Sequence, residues 1–232
     1  MKDHLFFMQA FTRKILLPLV LLITADVAVQ GQKIFMTGDS HVFSKIYPQK
    51  VEEILRTQHP DMEFGWWAKN GICFYSFNSH HEFFDSILNF QPEILIVHLG
   101  TNGAYANNFT RKVFRDEMEK FYSILTQSLP DIKVVFVTPF TNKQRKYRKK
   151  GKWRVNYKNR DASDEIISFV GDHPLTFVVD NNKEEGMTFL NSRNLIRKDN
   201  VHLTETGYNV LGEHVATEIL GIGELWASPD IN

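Results

Sequence analysis

Lys33-Ile34-Phe35-Met36-Thr37-Gly38-Asp39-Ser40-His41 is the stretch on which the reading of this chain turns. Ile34, Phe35 and Met36 form an apolar run with the length and character of a short buried strand. The run stops at Gly38, which permits a sharp turn, and that turn would present Ser40 at the strand's carboxyl end. Open α/β sheets place their chemistry at that end. A Gly-Asp-Ser triplet also arises by chance at ordinary strand-to-loop junctions, so the rest of the chain must supply partners for Ser40.

Working outward, the chain alternates apolar runs with helical periodicity. Val51, Ile54 and Leu55 predict a helix over Pro48 to Gln58, since Pro is tolerated in a first turn. Phe64, Trp66 and Trp67 suggest a second strand, broken at Asn70-Gly71. Phe83, Phe84, Ile87 and Leu88 predict a helix ending near Pro92. Glu93 to Leu99 is a near-continuous apolar run of the kind found in a central parallel strand, and it stops at Gly100-Thr101-Asn102-Gly103. A helix from Thr110 to Leu129 follows, with Val113, Met118, Phe121, Ile124 and Leu125 on one side. Lys133 to Thr138 reads as a fourth strand, Ala162 to Val170 as a helix, Thr176 to Val179 as a fifth strand, and Thr204 to Leu220 as a last helix. This order predicts a three-layer α/β sandwich with a five-stranded parallel sheet. It also gathers Ser40, Gly71, Asn102 and the Asp199-to-His202 stretch on one sheet edge.

Residues 1–31 stand outside that pattern. Lys2, Arg13 and Lys14 precede Ile15-Leu16-Leu17-Pro18-Leu19-Val20-Leu21-Leu22-Ile23, and small residues follow to Ala28 and Gly31. That is the order of a secretory signal peptide, with cleavage near Ala28 or Gly31 and export to the periplasm or medium. An uncleaved amino-terminal anchor is the alternative, although the apolar core is short for a membrane span. Residues 32–232 are then expected as one catalytic domain, within the size that single α/β domains reach. The whole chain holds 27 basic and 27 acidic residues. The amino-terminal segment holds three of the former and two of the latter, which leaves 24 and 25. A near-neutral domain carries no global field for nucleic acid, so a nucleic-acid partner is not expected. Cys73 is the only cysteine, so no disulfide can form within the chain and stability must come from the core. No Cys/His cluster has zinc spacing, and the adjacent His80-His81 reads as a surface pair.

A serine hydroxyl is a weak nucleophile until a base takes its proton, and the base works best when a carboxylate fixes its tautomer. Asp199 and His202, three residues apart in a loop entering a helix, allow the carboxylate to turn back to one ring nitrogen while the other faces Ser40. The same pair could be helix-entry capping alone. Acyl transfer also needs donors for the oxygen that becomes negative. The Asn102 amide, on a glycine-flanked loop after a central strand, is a candidate, and Gly71 can bring a bare N–H close. Both residue types are favoured in any turn. Their order along the chain is the informative feature.

With those residues placed, the chain resembles the SGNH, or GDSL, hydrolase superfamily from residue 33 to about 220. The resemblance implies a flavodoxin-like sheet, Ser40 as nucleophile and Asp199 and His202 as the other triad members. It implies an oxyanion hole of the Ser40 and Gly71 N–H groups and the Asn102 side chain, with no metal or organic cofactor. His41 stands where the family name puts leucine, and Gly103 follows Asn102 where many members have aspartate. No Gly-x-Ser-x-Gly occurs, so the α/β-hydrolase elbow lacks support. The expected activity is an exported serine esterase that removes a short acyl group, chiefly acetyl, from a carbohydrate. A cell-wall O-acetyltransferase would use the same residues. A lipid-directed esterase would need an apolar groove, which the Phe- and Trp-rich stretch from Phe64 to Phe90 could line. A glycan-binding module would not need all three triad residues.

One segment stays outside this scheme. Eight of the twelve residues from Lys143 to Arg154 are Lys or Arg. A solvated loop is the plain reading. Its place after a parallel strand, with Tyr147 and Trp153 among Arg148, Lys149 and Lys150, predicts a substrate-binding border that attracts an anionic glycan or surface.

Overall fold

The structure is a computed structural model, described for residues 31–106, 109–140, 146–149, 152–155, 158–183, 194–199 and 201–227, with backbone alone at 105, 146–149, 152–155 and 158. The expected signal peptide, all but Gly31, lies outside the described residues. The fold occupies the unit Gln32–Asn232.

Five strands, β1 (Lys33–Gly38), β2 (Glu63–Ala68), β3 (Ile94–His98), β4 (Lys133–Val137) and β7 (Thr176–Val179), form a parallel sheet in the order β2-β1-β3-β4-β7. The sequence thus folds as the α/β sandwich it predicts, and the order is that of flavodoxin-like sheets. Successive side chains on a strand point to opposite faces. Ile34 and Met36 of β1, Ile94 and Ile96 of β3, and Val135 and Val137 of β4 therefore pack on one face, while Phe35, Leu95, Val97, Val134 and Phe136 pack on the other. Both faces are covered, which is why these strands read as continuous apolar runs.

On the first face lie α2 (Ile46–Leu55) and α8 (Glu205–Leu220), burying Tyr47, Val51, Leu55, Leu211, Val215 and Ile219. On the second lie α3 (Phe74–Asn78), α4 (Glu82–Phe90), α6 (Arg111–Ser128) and α7 (Lys158–Asp172). There Phe74, Phe77, Phe83, Phe84, Phe121 and Phe169 make one aromatic core. Phe77 alone has ring centroids 4.9 Å from Phe84, 5.2 Å from Phe121 and 5.6 Å from Phe83. These rings are buried and line no lipid groove.

Several details depart from the sequence reading. α6 buries Met118, Phe121 and Leu125 as expected, but Phe114 rather than Val113 completes the stripe, because 114, 118, 121 and 125 share one helix face and Val113 lies off it, exposed. The short helices α1 (Ser40–Phe43), α3, α5 (Thr101–Tyr105) and α9 (Gly223–Trp226) have no counterpart in the sequence pattern, being too short to show a 3.6-residue period. In the basic segment the backbone forms an antiparallel ribbon of β5 (Lys146–Lys149) and β6 (Lys152–Val155), with Tyr147 opposite Arg154 and Arg148 opposite Trp153 in register. Aromatic residues alternating with long side chains suit a two-stranded ribbon as well as a loop, and the charge run concealed that pattern.

The chain passes from β1 outward to β2 and then crosses back to β3 on β1's other side. The connections leaving β1 and β3 thus diverge, and they open a crevice beyond the carboxyl ends of those two strands. Ser40 follows β1 and Asn102 follows β3.

Candidate active site

Gly38 ends β1 at a place where a side chain would not fit. A Cβ there would lie 2.5 Å from Val42 Cγ2 and 2.6 Å from the His98 carbonyl oxygen, so the glycine serves close packing of β1 against β3. It does not have a positive φ, and the expected conformational reason gives way to a steric one. The next residue, Asp39, is fully buried. Its Oδ1 accepts the His41 N–H at 3.0 Å and caps α1, while its own N–H donates to the His98 carbonyl at 3.3 Å. Ser40 is the first residue of α1 and is thereby held at the crevice.

The partner of Ser40 arrives on the segment entering α8. Asp199 Oδ1 accepts the N–H groups of Val201 (2.8 Å) and His202 (2.9 Å), and Oδ2 lies 2.8 Å from His202 Nδ1. Across the ring, His202 Nε2 is 3.1 Å from Ser40 Oγ. Partial burial pushes the Asp199 carboxyl up, but the two N–H donors and the His202 ring outweigh it and hold the group down at about 2. An ionised Asp199 can only accept, so Nδ1 carries a proton, and in the tautomer protonated there alone Nε2 is left to accept from the Ser40 hydroxyl. The segment is tied down at its base. Arg197 N–H donates to the His202 carbonyl at 2.8 Å, Thr204 N–H donates to Leu195 at 2.8 Å, and Ile196 pairs with Leu203. Thr204 Oγ1 then accepts the Gly207 N–H at 3.1 Å and starts α8.

Facing this pair are the expected oxyanion donors. Gly71 sits at φ +76, a conformation that disfavours any side chain, and among the described residues nothing accepts its N–H. Asn102, in the first turn of α5, donates from Nδ2 to the Ile72 carbonyl (3.1 Å) and to Asp39 Oδ2 (3.2 Å). Both amide hydrogens therefore have acceptors, and donation to a substrate would require one to be shared. Burial raises the Asp39 carboxyl to about 7, against the opposing pull of the His41 N–H. The sequence reading quoted Asp39 only as a neighbour of Ser40. Its bond to Asn102 joins residues 63 apart, and no local signal announces it.

Two cavities meet at Ser40. The larger, about 490 Å³, is lined by Ser40, Asn70, Gly71, Thr101, Asn102, Val201 and His202. The smaller, about 270 Å³, adds Phe43, Ser44, Ile46, Arg197 and Tyr208 to Ser40, Asn70 and His202. His41, at the position where leucine was expected, is buried in an aromatic slot, its ring 5.0 Å from Phe140 and 5.5 Å from His98. Among the described residues no three His, Cys, Asp or Glu side chains gather into a group that could hold a metal ion. The expected binding side chains Tyr147, Arg148, Lys149, Lys150 and Trp153 lie outside the described side chains.

Comparison with known proteins places this geometry in context. A sequence model described as the GDSL-like lipase/acylhydrolase family matches residues 37–210. No curated protein sequence matches the chain. Among solved structures, an acetyl xylan esterase, AlAXEase, is similar at 19% identity with a TM-score of 0.64, over 81% of this chain and 99% of that one. A carbohydrate esterase family 3 protein from Talaromyces cellulolyticus is similar at 14% identity and a TM-score of 0.63, over 82% and 97% of the two chains. A peptidoglycan O-acetylesterase is similar at 10% identity and a TM-score of 0.66, over 84% and 92%. At these identities the likeness is one of fold.

Proposed function

Since the chain belongs to the GDSL-like lipase/acylhydrolase family and is accordingly a carboxylic-ester hydrolase, we propose that it removes acetyl groups from an acylated carbohydrate through a Ser40-His202-Asp199 triad. The observation that carries this reading is the continuous chain of contacts from Asp199 Oδ2 to His202 Nδ1 at 2.8 Å and from His202 Nε2 to Ser40 Oγ at 3.1 Å. Such a chain lets His202 take the Ser40 proton as Oγ attacks the ester carbonyl, while Asp199 steadies the charged ring. The developing oxyanion would be met by the N–H groups of Ser40 and Gly71 and by the Asn102 amide. His202 then returns the proton to the leaving sugar hydroxyl, and a water activated by the same ring releases acetate.

The carbohydrate target is supported by the esterase neighbours in fold and by an open cleft flanked by Phe43 and Tyr208. Export is part of the proposal and rests on the charged, apolar, small-residue order of residues 1–31. The test is to assay the purified domain on acetylated oligosaccharides, measuring free acetate and acetyl passed to a second sugar separately. Acetate release abolished by Ser40→Ala supports the reading. Release that survives the substitution ends it, and acetyl transfer without release identifies an acetyltransferase instead.

A further inference from the structure

We propose that Arg197 receives a carboxylate carried by the alcohol portion of the substrate, so that the preferred ester is an acetylated acidic sugar. This rests on the esterase reading above and names the class of sugar. Arg197 lines the smaller cavity together with Ser40 and His202, and among the described residues no Asp or Glu lines either cavity. Among the described ion pairs the guanidinium has no carboxylate, and the nearest in sequence, Asp199, is committed to His202 and Val201. The position of Arg197 is fixed relative to the base, because its N–H donates to the His202 carbonyl at 2.8 Å and its neighbour Ile196 pairs with Leu203.

A substrate carboxylate seated on Arg197 orients the ring bearing the ester, since a guanidinium offers two parallel donors to a carboxylate. The side of the scissile bond follows from the proton. His202 returns it to the leaving oxygen, while the oxyanion donors Gly71 and Asn102 line only the larger cavity. The leaving sugar therefore extends into the smaller cavity, where Phe43, Ile46 and Tyr208 give its ring an apolar surface and Arg197 meets its charge. That cavity, about 270 Å³, falls just below the size of drug-sized ligand sites and suits a single ring.

The experiment compares the wild-type protein with Arg197→Gln and Arg197→Lys on two substrates acetylated at the same hydroxyl, a methyl glucuronoside and a methyl glucoside. 4-Nitrophenyl acetate and 4-nitrophenyl hemisuccinate serve as further probes. The wild type is expected to favour the glucuronoside by about tenfold to fiftyfold in kcat/KM, mostly through KM, the range of a charge-assisted bidentate contact. Arg197→Gln should bring that ratio close to one, and Arg197→Lys should retain part of it. A wild-type ratio near one overturns the proposal, as does a variant that loses activity on both sugars while keeping the ratio. A preference confined to the hemisuccinate, whose carboxylate lies on the acyl side, also overturns it. Failure of the underlying esterase reading has a separate signature, namely no Ser40-dependent cleavage of 4-nitrophenyl acetate.

Discussion

Replacing Asn102 by alanine separates two roles that its side chain combines. Its Nδ2 donates to the Ile72 carbonyl at 3.1 Å and to Asp39 Oδ2 at 3.2 Å, and it is also the proposed side-chain donor to the oxyanion. As a structural tie it leaves two acceptors short of a donor when removed, and each such loss costs about 1–3 kcal/mol when water cannot replace it. Water from the 490 Å³ cavity can reach this site, so the lower end applies and the total is about 2 kcal/mol. For a domain of this size that lowers Tm by roughly 4–8 °C. As an oxyanion donor its loss should lower kcat by roughly a hundredfold to a thousandfold, with KM changing much less. Steady-state kinetics on 4-nitrophenyl acetate well below the variant's Tm, paired with thermal unfolding, read the two effects separately. A variant that loses stability but keeps wild-type kcat would refute the catalytic role, leaving Asn102 as a brace between Asp39 and Ile72.

Other outcomes follow from the same geometry. Ser40→Ala and His202→Ala should each lower esterase activity by at least about 10⁴-fold, and the double variant should be no worse than the more severe single one, because triad members act as a unit; additive losses in kcat would contradict a shared step. Asp39 has a folded pKa of about 7 against an ordinary 3.8, so the stability it contributes is complete below about pH 4 and is lost as pH rises through 7, a swing of about 4 kcal/mol at most. Urea unfolding between pH 4.5 and 8 should therefore show a flatter profile for Asp39→Asn than for the wild type, and parallel profiles would exclude Asp39 as the source. Asp199 has the opposite sign: its folded pKa lies below the ordinary value, so its contribution is present above about pH 4 and is lost only as pH falls through about 2. Changing Arg148, Lys149 and Lys150 together to Ser should weaken activity on an acidic polymeric ester at low salt and flatten its salt dependence, with a small neutral ester unaffected. Equal activity on the polymer would reduce the segment to a solvated ribbon.

The sheet was legible because its strands are buried on both faces, which makes Lys33 to Gly38, Ile94 to His98 and Lys133 to Val137 stand out as apolar runs whatever their neighbours. The placing of Ser40, Gly71, Asn102 and the Asp199-to-His202 stretch on one sheet edge was legible for a related reason. Each follows a strand or precedes a long helix, and topology brings such places together without any detail of packing. What escaped was of two kinds. Helices of a single turn, such as Ser40–Phe43 and Thr101–Tyr105, are too short to carry a period, yet they set the directions of Ser40 and Asn102. The meeting of distant residues, such as Asp39 bonded to Asn102 or Arg197 lining one cavity with Ser40, depends on how loops settle against each other, and no spacing encodes that. On α6 one position of the stripe differs for a simpler reason: Val113 and Phe114 are both apolar, and Phe114 is the one that shares a face with Met118, Phe121 and Leu125.

The nucleophile and its base are anchored in regions of unequal tenacity. Ser40 sits two residues beyond Gly38, at the end of a strand paired on both sides along its length, and its neighbour Asp39 is wholly buried. His202 hangs from a short ladder formed by Arg197, Ile196 and Leu203, and Thr204 with Leu195. Opening that ladder disturbs the core only at Leu203 and Ile196, whereas freeing β1 means dismantling the sheet on which both faces of the core are built, so the first event costs less free energy. Amide hydrogens of Arg197 and Thr204 should accordingly exchange with solvent orders of magnitude faster than those of Phe35 and Met36. On gradual addition of denaturant the enzyme should fall silent while its sheet is still intact, and recover its activity on dilution without having refolded.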